Sequence, residues 1–420
     1  MNSRQLLSRQ HAIQQGNDGR PLFVTDAAVP ALLPGHVLVK TFAVSLNPAD
    51  HKILSNFPLP GAFVGTDFSG IVVEAADDVK EDTMIKPGTW VSGGTFCFAA
   101  EHRLSSAAFS QYVRVRASLL LRPCPVLSPG GVGLLGAATL GTAVATCILA
   151  LWSPDALHLP GTPDKPGPTI EAVPVLVYGG STATGTIAIQ LLRLSGYGPI
   201  TTCSPHNFDL VSSRGASAAF DYSDPDVAEH IKAHTGGRLK YALDCISNAA
   251  SARLCYAVIQ RAGGRYVSLE RIPQEVLSVQ QAVRPAFVLA AEAYREEIKL
   301  GHDGYDRPIN KAKHELVVQY TEVVQRLLDQ GKLTAHPVEM LEDGWQGVLK
   351  GLEFLASGGK LSGKKLAAIV DTENERTAEA NAGYAIPYLS LPEGNSTFTA
   401  AKPSTFLYRR LRQNPKFSPF

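Results

Sequence analysis

The chain has 420 residues, 45% of them hydrophobic and 18% charged, which is enough for two or three domains with sizeable buried cores. Lys and Arg number 39 and Asp and Glu 38, so a net charge of +1 provides no basic field to attract nucleic acid or an anionic membrane. The first residues contain no apolar segment of the kind found in secretory signals, so the cytosol is the expected location.

The first third of the chain has the pattern of β-structure. Alternation of apolar and polar residues predicts a half-buried strand at 36–46. The segment 63–76, interrupted by glycines, predicts a pair of strands, and 86–94 predicts a turn followed by a strand. A further strand region is predicted at 109–123. Together these segments predict an all-β unit.

The pattern changes after Pro129. A segment rich in Gly and Ala at 130–151 predicts a helix, which we expect to be buried and not membrane-spanning because no charged residues flank it. Six prolines within 153–174 then predict a long surface loop.

From residue 174 onward, short apolar strands alternate with helical segments. Strands are predicted at 174–180, 199–205, 218–223, 240–246 and 263–269, and helices at 181–197 and 208–216. This alternation predicts an α/β fold with a parallel, doubly wound sheet. A helix is predicted at 310–335 and strands at 332–341 and 365–370, and the polar tail 371–420 is expected to be solvated or loosely docked.

The strongest functional pattern is the strand–turn–helix at 174–196. The strand runs into the sequence GGSTATG at 179–185, and a helix follows directly. Small residues let the chain turn tightly and let a pyrophosphate approach backbone N–H groups at the helix N-terminus, and Gly185 would allow close helix–strand packing. Thr182 stands where a middle glycine is usual, so a glycine-rich turn without a ligand remains the alternative.

The end of the second strand bears on the type of cofactor. Sites that prefer NAD place Asp or Glu there to bond the ribose 2′-hydroxyl, whereas this chain reads TCSPHN at 202–207. Ser204, His206 and Asn207 can donate hydrogen bonds to a 2′-phosphate, and no acid would repel it. NADPH is therefore the expected cofactor, and the alternative that these residues only cap a turn is compatible with it.

The cysteines offer no pattern of metal ligands. None of the six belongs to a C-x-x-C pair. No metal site is expected, and we interpret most of the cysteines as reduced core residues.

These patterns carry a family likeness. The chain resembles the zinc-free quinone-reductase branch of the medium-chain dehydrogenase/reductases through SLNPADHK (45–52), VGTDFSGIVVE (64–74), KPGTWVSG (86–93), FSQYVRV (109–115), AATLGTAVAT (137–146) and the cofactor loop. The resemblance implies an N-terminal GroES-like β domain at 1–135, a Rossmann domain at 136–335, a return to the first domain at 336–371 and an extension at 372–420.

A narrower likeness is to the trans-acting enoyl reductases of fungal polyketide pathways, over roughly residues 20–370. It is carried by VYGGSTATGT, LRLSGY, TCSPHNFDLVSSRGA, YALDCIS and KLSGKKL. The resemblance implies NADPH-dependent reduction of an enoyl thioester held by the acyl carrier domain of a polyketide synthase, alone or joined to a peptide synthetase. A monomer is favoured, and neither nucleic acid nor a membrane is an expected partner.

The resemblance also assigns cofactor contacts. The expected groups are Pro48, Ala49, Asp50 and His51 beside the nicotinamide, Ser181, Thr182, Ala183 and Thr184 at the diphosphate, Ser204, Pro205, His206, Asn207 and Tyr222 around the adenosine phosphate, Leu269 and Glu270 near the nicotinamide ribose, and Leu361 and Ser362 on the far side. Glu270 departs from the neutral residue expected there, so it either faces water in a turn or alters the pocket.

The acyl pocket and the proton donor follow from the same likeness. The expected pocket residues are Ala137, Ala138, Thr139, Leu140, Gly141, Thr142, Ala143 and Val144. Lys52 is the candidate proton donor, because it follows N-P-A-D-H and the family places this loop near the nicotinamide. Some relatives use a Tyr shortly after this motif, and none stands at 55–58 here. The alternatives are that Lys52 is a surface lysine, and that the proton comes from water while Thr139 or a ribose hydroxyl holds the acceptor oxygen.

Two other functions stay open at this point. The chain can be a stand-alone reductase of small quinones or enones, or a polyketide-binding isomerase, cyclase or scaffold without redox turnover. Likeness of fold alone does not establish the chemistry.

Overall fold

The computed structural model describes the chain in five stretches, which are residues 8–79, 84–95, 103–123, 133–167 and 172–371. Contacts group all of these residues in one compact unit. The predicted extension 372–420, together with Cys97 and Cys124, lies outside the described residues.

The strands and α-helices of the described residues have the following bounds, each numbered in chain order. The strands are β1 Arg9–Gln15, β2 Pro21–Ala28, β3 His36–Ser45, β4 Asp67–Ala75, β5 Trp90–Gly94, β6 Tyr112–Arg116, β7 Pro174–Tyr178, β8 Gly198–Thr202, β9 Ala218–Phe220, β10 Tyr241–Asp244, β11 Gly264–Ser268, β12 Val283–Phe287, β13 Val338–Met340 and β14 Lys365–Ile369. The α-helices are α1 Pro48–Asn56, α2 Leu134–Ala137, α3 Gly141–Trp152, α4 Ala183–Leu194, α5 Phe208–Ser213, α6 Val227–Thr235, α7 Ala249–Val258, α8 Gln274–Leu277, α9 Lys311–Asp329 and α10 Gly344–Ala356.

One sheet is mixed and joins the two ends of the described chain. Its strand order is β13-β14-β3-β4-β5, and β6 pairs with the first half of β3 while β14 pairs with the second half. The chain therefore returns to its first sheet after the parallel strands. The domain boundaries at 135, 335 and 371 stay predictions, and β1 and β2 form a separate antiparallel hairpin that the sequence patterns did not indicate.

The other sheet is parallel throughout, as the alternating pattern predicted. Its order is β12-β11-β10-β7-β8-β9, so the strand order reverses between β7 and β10. The five predicted strands are present at 174–178, 198–202, 218–220, 241–244 and 264–268. The edge strand β12 was missed because Pro285 stands in its middle and prolines are rare in strands.

The structure corrects four of the predicted elements. The segment 63–76 contains one strand, β4, and 332–341 contains only the short β13. The predicted helix at 130–151 is two helices, α2 and α3, within its described part. The segment 153–174 is only partly a surface loop, because Leu157 and Leu159 are buried and Gly161 accepts the Trp152 indole N–H at 3.0 Å.

Helix α3 lies at the centre of the main hydrophobic core. Ten of its residues are buried, which agrees with its apolar composition on all sides. Trp152 at its end stacks on Tyr320 of α9, with ring centroids 4.3 Å apart. Among the residues that the structure describes, no helix has both the length and the apolar character needed to cross a bilayer.

Candidate active site

A cleft of about 390 Å³ opens at the carboxyl ends of the parallel strands. It lies beside the point where the strand order reverses, where open α/β sheets bind their ligands. Helices and loops that follow strands of both sheets form its walls. The lining residues are Asn47, Pro48, Ala49, Lys52, Ile53, Asn56 and Phe57 of the α1 region, Thr142 and Thr146 of α3, 182–184 after β7, 245–247 after β10, Leu269 and Glu270 after β11, and 288–291, Leu300 and Tyr305.

The turn after β7 has the geometry that the sequence predicted. Gly179 has a positive φ of 81°, and a Cβ added at Gly185 would collide with the Gly179 carbonyl, so both positions need glycine. Thr182 is the N-cap of α4: its hydroxyl donates to the Gly179 carbonyl at 2.8 Å and accepts the Gly185 N–H at 3.0 Å. The Thr182 hydroxyl therefore shapes the turn, and its donor is already engaged.

Several donors at the same helix end remain available to a ligand. The N–H groups of Ala183 and Thr184 belong to the first turn of α4 and have no helical acceptor. The hydroxyls of Ser181 and Thr184 make no hydrogen bond to the described residues. These groups fit a diphosphate, because the N-terminus of a helix adds a positive dipole end to its free N–H groups.

The wall after β10 is organised by one buried carboxylate. Asp244 accepts hydrogen bonds from the Ser247 N–H, the Ser251 hydroxyl and the Tyr266 hydroxyl at 2.6 to 2.8 Å. Burial raises the pKa of Asp244, although these hydrogen bonds oppose the shift. Ser247 adopts a positive φ of 56° and its hydroxyl accepts the Leu269 N–H at 2.7 Å, which joins the ends of β10 and β11. Residues 245–247 were not among the residues predicted for the site, although their position at the end of a predicted strand indicated the cleft.

The residues predicted around the adenosine phosphate come together in two hydrogen-bonded groups. The Ser204 and Tyr222 hydroxyl oxygens lie 3.2 Å apart. The Ser362 hydroxyl lies 2.6 Å from His206 Nε2 and accepts the Asn207 side-chain N–H at 2.8 Å. Ser362, which the resemblance assigned to the far side of the cofactor, thus lies beside His206 and Asn207, more than 150 positions away in sequence. Pro205 and Leu361 are their chain neighbours, and contacts of all these residues with a cofactor stay predictions.

A charged cluster crosses the cleft between α1 and the end of β11. Lys52 Nζ lies 3.2 Å from one carboxylate oxygen of Glu270, and the Tyr305 hydroxyl donates to the other oxygen. Lys52 is 46% exposed and Glu270 29% exposed, so solvent reaches the ion pair. We call Lys52, Glu270 and Tyr305 the cleft cluster. Of the two alternatives that the sequence left for Glu270, the structure favours the second, because Glu270 lines the pocket and does not face only water.

The ionisation of the cleft cluster follows from these contacts. Burial raises the pKa of Glu270, but hydrogen bonds from Tyr305 and the Arg271 N–H, with the charge of Lys52, bring its pKa below the ordinary value. Burial and then the bond to Glu270 raise the pKa of Tyr305 to about 12. Glu270 is therefore anionic and Tyr305 neutral at physiological pH.

A second, mostly buried polar cluster lies behind the cleft wall, and two of its members, Asn47 and Thr142, line the cleft. Asp67 accepts the Thr142 N–H and hydroxyl, each at 2.7 Å, and the Asn47 amide at 2.9 Å, and it pairs with Lys365 at 2.6 Å. Asp50, which caps α1, joins this cluster through Thr66. We call Asn47, Asp50, Thr66, Asp67, Thr142 and Lys365 the buried network, and it fixes Thr142 at the cleft surface.

Not every residue predicted for the site lines the cleft. Asp50 is buried in the network, and its burial raises its pKa to about 7; His51 lies outside the lining. Of the segment 137–144, only Thr142 lines the cleft. The Thr139 hydroxyl is buried and donates to the Gly136 carbonyl at 2.7 Å, so its placement suits helix packing. Tyr305 and Thr146 were not singled out from the sequence.

No group of three or more His, Cys, Asp or Glu side chains within the described ranges of the chain could hold a metal ion.

Family models match one segment in each half of the chain, and solved structures match its fold. Residues 33–125 match the family model of the alcohol dehydrogenase GroES-like domain, and residues 183–283 match that of the zinc-binding dehydrogenase. Among solved structures, the quinone oxidoreductase of Coxiella burnetii has a TM-score of 0.61 at 22% identity, covering 86% of this chain and 99% of that one. The CurK enoyl reductase has a TM-score of 0.63 at 17% identity, with the same coverage. The predicted fold class, a GroES-like β domain plus a Rossmann domain, is confirmed.

Curated relatives are closer in sequence. The trans-enoyl reductase TwmE of Talaromyces wortmannii is 59% identical over 370 residues, which are 87% of this chain and 99% of the relative. The trans-enoyl reductase poxP of Penicillium oxalicum is 43% identical, over 88% of this chain and 95% of the relative. The chain therefore belongs to the trans-enoyl reductases, nicotinamide-dependent oxidoreductases of the medium-chain dehydrogenase/reductase type that act on carbon–carbon double bonds.

Proposed function

We propose that the chain reduces the double bond of an α,β-unsaturated polyketide thioester with NADPH, while the acyl carrier domain of a polyketide synthase holds the thioester. The observation that carries this proposal is the opening of the helix α4 N-terminus into the same cleft as Lys52. A donor of hydride and a donor of a proton can therefore act on one substrate. The resemblance noted in the sequence supports the polyketide substrate and the carrier domain.

The cofactor site rests on the turn after β7. Gly179 and Gly185 leave no room for side chains, and the free N–H groups of Ala183 and Thr184 point to a diphosphate ligand. A dinucleotide held by this turn would supply hydride from its nicotinamide to the β-carbon of the substrate.

The preference for NADPH rests on the groups at the end of β8. The side chains of Ser204, His206 and Asn207, with the hydroxyls of Tyr222 and Ser362, are neutral or basic hydrogen-bonding groups that form two clusters after β8. A 2′-phosphate gains charge-assisted hydrogen bonds from such groups. An acidic residue, which would favour NADH, is missing from 202–207.

The proton for the α-carbon comes from Lys52 in this proposal. Hydride addition at the β-carbon moves the electron pair of the double bond toward the α-carbon, where it forms the new C–H bond with a proton from Lys52 Nζ. Glu270 holds Lys52 across the cleft at 3.2 Å, and the exposure of Lys52 lets water restore its proton. Tyr305 is the alternative donor, because its hydroxyl reaches the same carboxylate.

The acyl chain would lie along the apolar side of the cleft. Ile53, Phe57, Val288, Leu289 and Leu300 line this side and offer no charge to the substrate. An apolar wall with few polar groups is typical of small-molecule sites.

The proposal is tested by NADPH oxidation with an α-methyl enoyl pantetheine thioester, with Thr182→Asp and Thr182→Ser in parallel. Asp can accept the Gly185 N–H as Thr182 does, but it cannot donate to the Gly179 carbonyl, so a thermal melt first checks that Thr182→Asp is folded. Its charge should raise the Kd for NADPH at least about a hundredfold, because like charges about 4 Å apart repel by roughly 4 kcal/mol at an effective dielectric constant of 20. Thr182→Ser keeps the cap and should bind NADPH as the wild type does.

Other outcomes would replace the proposal. A wild type that binds neither NADPH nor NADH is not a reductase of any kind. Turnover of free 2-enones without turnover of carrier-bound chains would favour a stand-alone enone reductase. Conversion of a polyketide without stoichiometric NADPH consumption would favour an isomerase or a cyclase.

A further inference from the structure

Arg271 lies at the rim of the cleft, since it is exposed while its neighbour Glu270 lines the cleft. Its guanidinium is held on three sides. Cζ lies 5.7 Å from the centroid of the Tyr305 ring, and Nη1 lies 3.3 Å from both ring nitrogens of His302. A Cβ added at Gly304 would collide with Nε and Cζ of Arg271. These contacts restrict the rotamers of a side chain that is otherwise flexible.

The fixed guanidinium has no counter-ion among the described residues. No carboxylate there lies within ion-pair distance of Arg271. The adjacent Glu270 carboxylate is engaged by Lys52 and Tyr305. The Asp306 carboxylate accepts two backbone N–H groups of its own loop at 2.7 and 3.1 Å. Arg271 is therefore preorganised to receive an anion from outside the chain.

A second guanidinium belongs to the same aromatic cluster. Arg307 Cζ lies 5.6 Å from the Phe287 ring centroid, and the Phe287 and Tyr305 rings meet edge to face with centroids 5.6 Å apart. Arg307 donates to the Asp306 backbone carbonyl at 2.9 Å and, among the described residues, pairs with no carboxylate. Two positive charges thus lie over adjoining rings next to the cleft.

We propose that Arg271, supported by Arg307 over the adjoining Phe287 ring, binds the phosphate of the pantetheine arm that delivers the thioester. The assignment rests on the proposed function, because only a carrier-bound or coenzyme-A-bound substrate brings such a phosphate. The planar guanidinium fork matches two phosphate oxygens, which a lysine could not do in one geometry.

The distribution of charge around the cleft agrees with this substrate. The acyl end is neutral and would enter between the apolar residues Ile53, Phe57 and Leu300. The anionic end would stay outside, at the exposed Arg271, away from the inward-facing carboxylate of Glu270. A pantetheine thioester has these two ends on one flexible chain.

Calorimetry on the full chain loaded with NADP⁺ tests the assignment with 4′-phosphopantetheine and pantetheine as ligands. The wild type should bind the phosphorylated arm about ten- to a hundredfold more tightly than the unphosphorylated arm. Arg271→Gln should lose most of this preference and keep its affinity for pantetheine and NADPH. Arg253→Gln, which removes an exposed arginine from helix α7 outside the cleft lining, should keep the preference.

The outcomes separate this assignment from the proposed function. Turnover of an enoyl thioester is assayed in parallel with binding. A wild type that reduces the thioester but shows no phosphate preference overturns the phosphate site alone. A preference that survives in Arg271→Gln, or a loss of NADPH affinity in that variant, also overturns it. A wild type without thioester turnover overturns the proposed function and, with it, this assignment.

Discussion

The buried network and the cleft cluster both pair a lysine with a carboxylate across long sequence distances, but in different surroundings. Lys365 and Asp67 are 5% and 0% exposed and lie 2.6 Å apart, with further donors on Asp67. Lys52 and Glu270 are 46% and 29% exposed and lie 3.2 Å apart. The buried Lys365–Asp67 pair therefore stabilises the fold, whereas the exposed Lys52–Glu270 pair can exchange its partner for water or a ligand.

This difference has an energetic basis. Breaking a buried ion pair leaves an unsolvated charge, whereas an exposed pair is replaced by water at little cost. The buried network can therefore hold the wall of the cleft in one geometry. The cleft cluster can release Lys52 to a substrate without unfolding its surroundings.

The largest effect should come from Lys365→Met. This change leaves Asp67 without its cation and should lower the free energy of unfolding by about 3–5 kcal/mol, as measured by denaturant titration. Lys350→Met is the matched control, because it removes an exposed pair with Asp343 and should cost less than about 1 kcal/mol. Equal losses in the two variants would mean that burial does not distinguish the two pairs.

The next effect concerns the pH dependence of stability through Asp50. Folding raises the pKa of Asp50 from 3.8 to about 7, mainly through burial, so the folded chain holds the proton more tightly than the unfolded chain. This contribution is fully present below pH 4 and is lost as the pH rises through 7. Relative to the wild type, Asp50→Asn should gain on the order of 2–3 kcal/mol in the free energy of unfolding between pH 5 and pH 8.

The measurement compares denaturant titrations at pH 5, 6.5 and 8. Burial lowers the pKa of His336 to about 3, which acts in the opposite direction, but this effect is present in both proteins and cancels in the difference. Asp221→Asn is the control: hydrogen bonds from Ser223 lower the pKa of Asp221, so this variant should give a difference that stays flat between pH 5 and pH 8. Parallel curves for the wild type and Asp50→Asn would contradict the prediction.

The third effect should appear in catalysis and not in stability. Lys52→Met should lower kcat about a hundredfold, which corresponds to ~2.7 kcal/mol, because it removes the proposed proton donor. Its free energy of unfolding should change by less than about 1 kcal/mol, since Lys52 is half exposed. Tyr305→Phe should lose less activity, and a larger loss in that variant would assign the proton to Tyr305.

Much of the molecule could be predicted from local patterns. The glycines and the capping Thr182 lie within seven residues, so the cofactor turn is readable without knowledge of the fold. Residues 204–207 could be placed next to it because neighbouring parallel strands end at one edge of their sheet. Strand patterns also predicted most of both sheets.

The clusters could not be predicted, because tertiary packing alone creates them. Glu270 is 218 positions from Lys52, and Lys365 is 298 positions from Asp67. Polar residues such as Asp67 and Asp50 are usually exposed, so composition gives no hint that both are buried. Tyr305 lies in an irregular segment whose position depends on the aromatic cluster around it.

Pro285 has a consequence for association that concerns the edge of the parallel sheet. Val288 donates its N–H to Ser268 of β11, so by alternation the nitrogens of Val283, Pro285 and Phe287 face outward. The Val283 N–H is used in a turn with Gln280, and Pro285 has none, which leaves Phe287 as the one outward donor of this described strand. A strand from another molecule would therefore find only one N–H donor along this edge, which protects the edge against edge-to-edge aggregation.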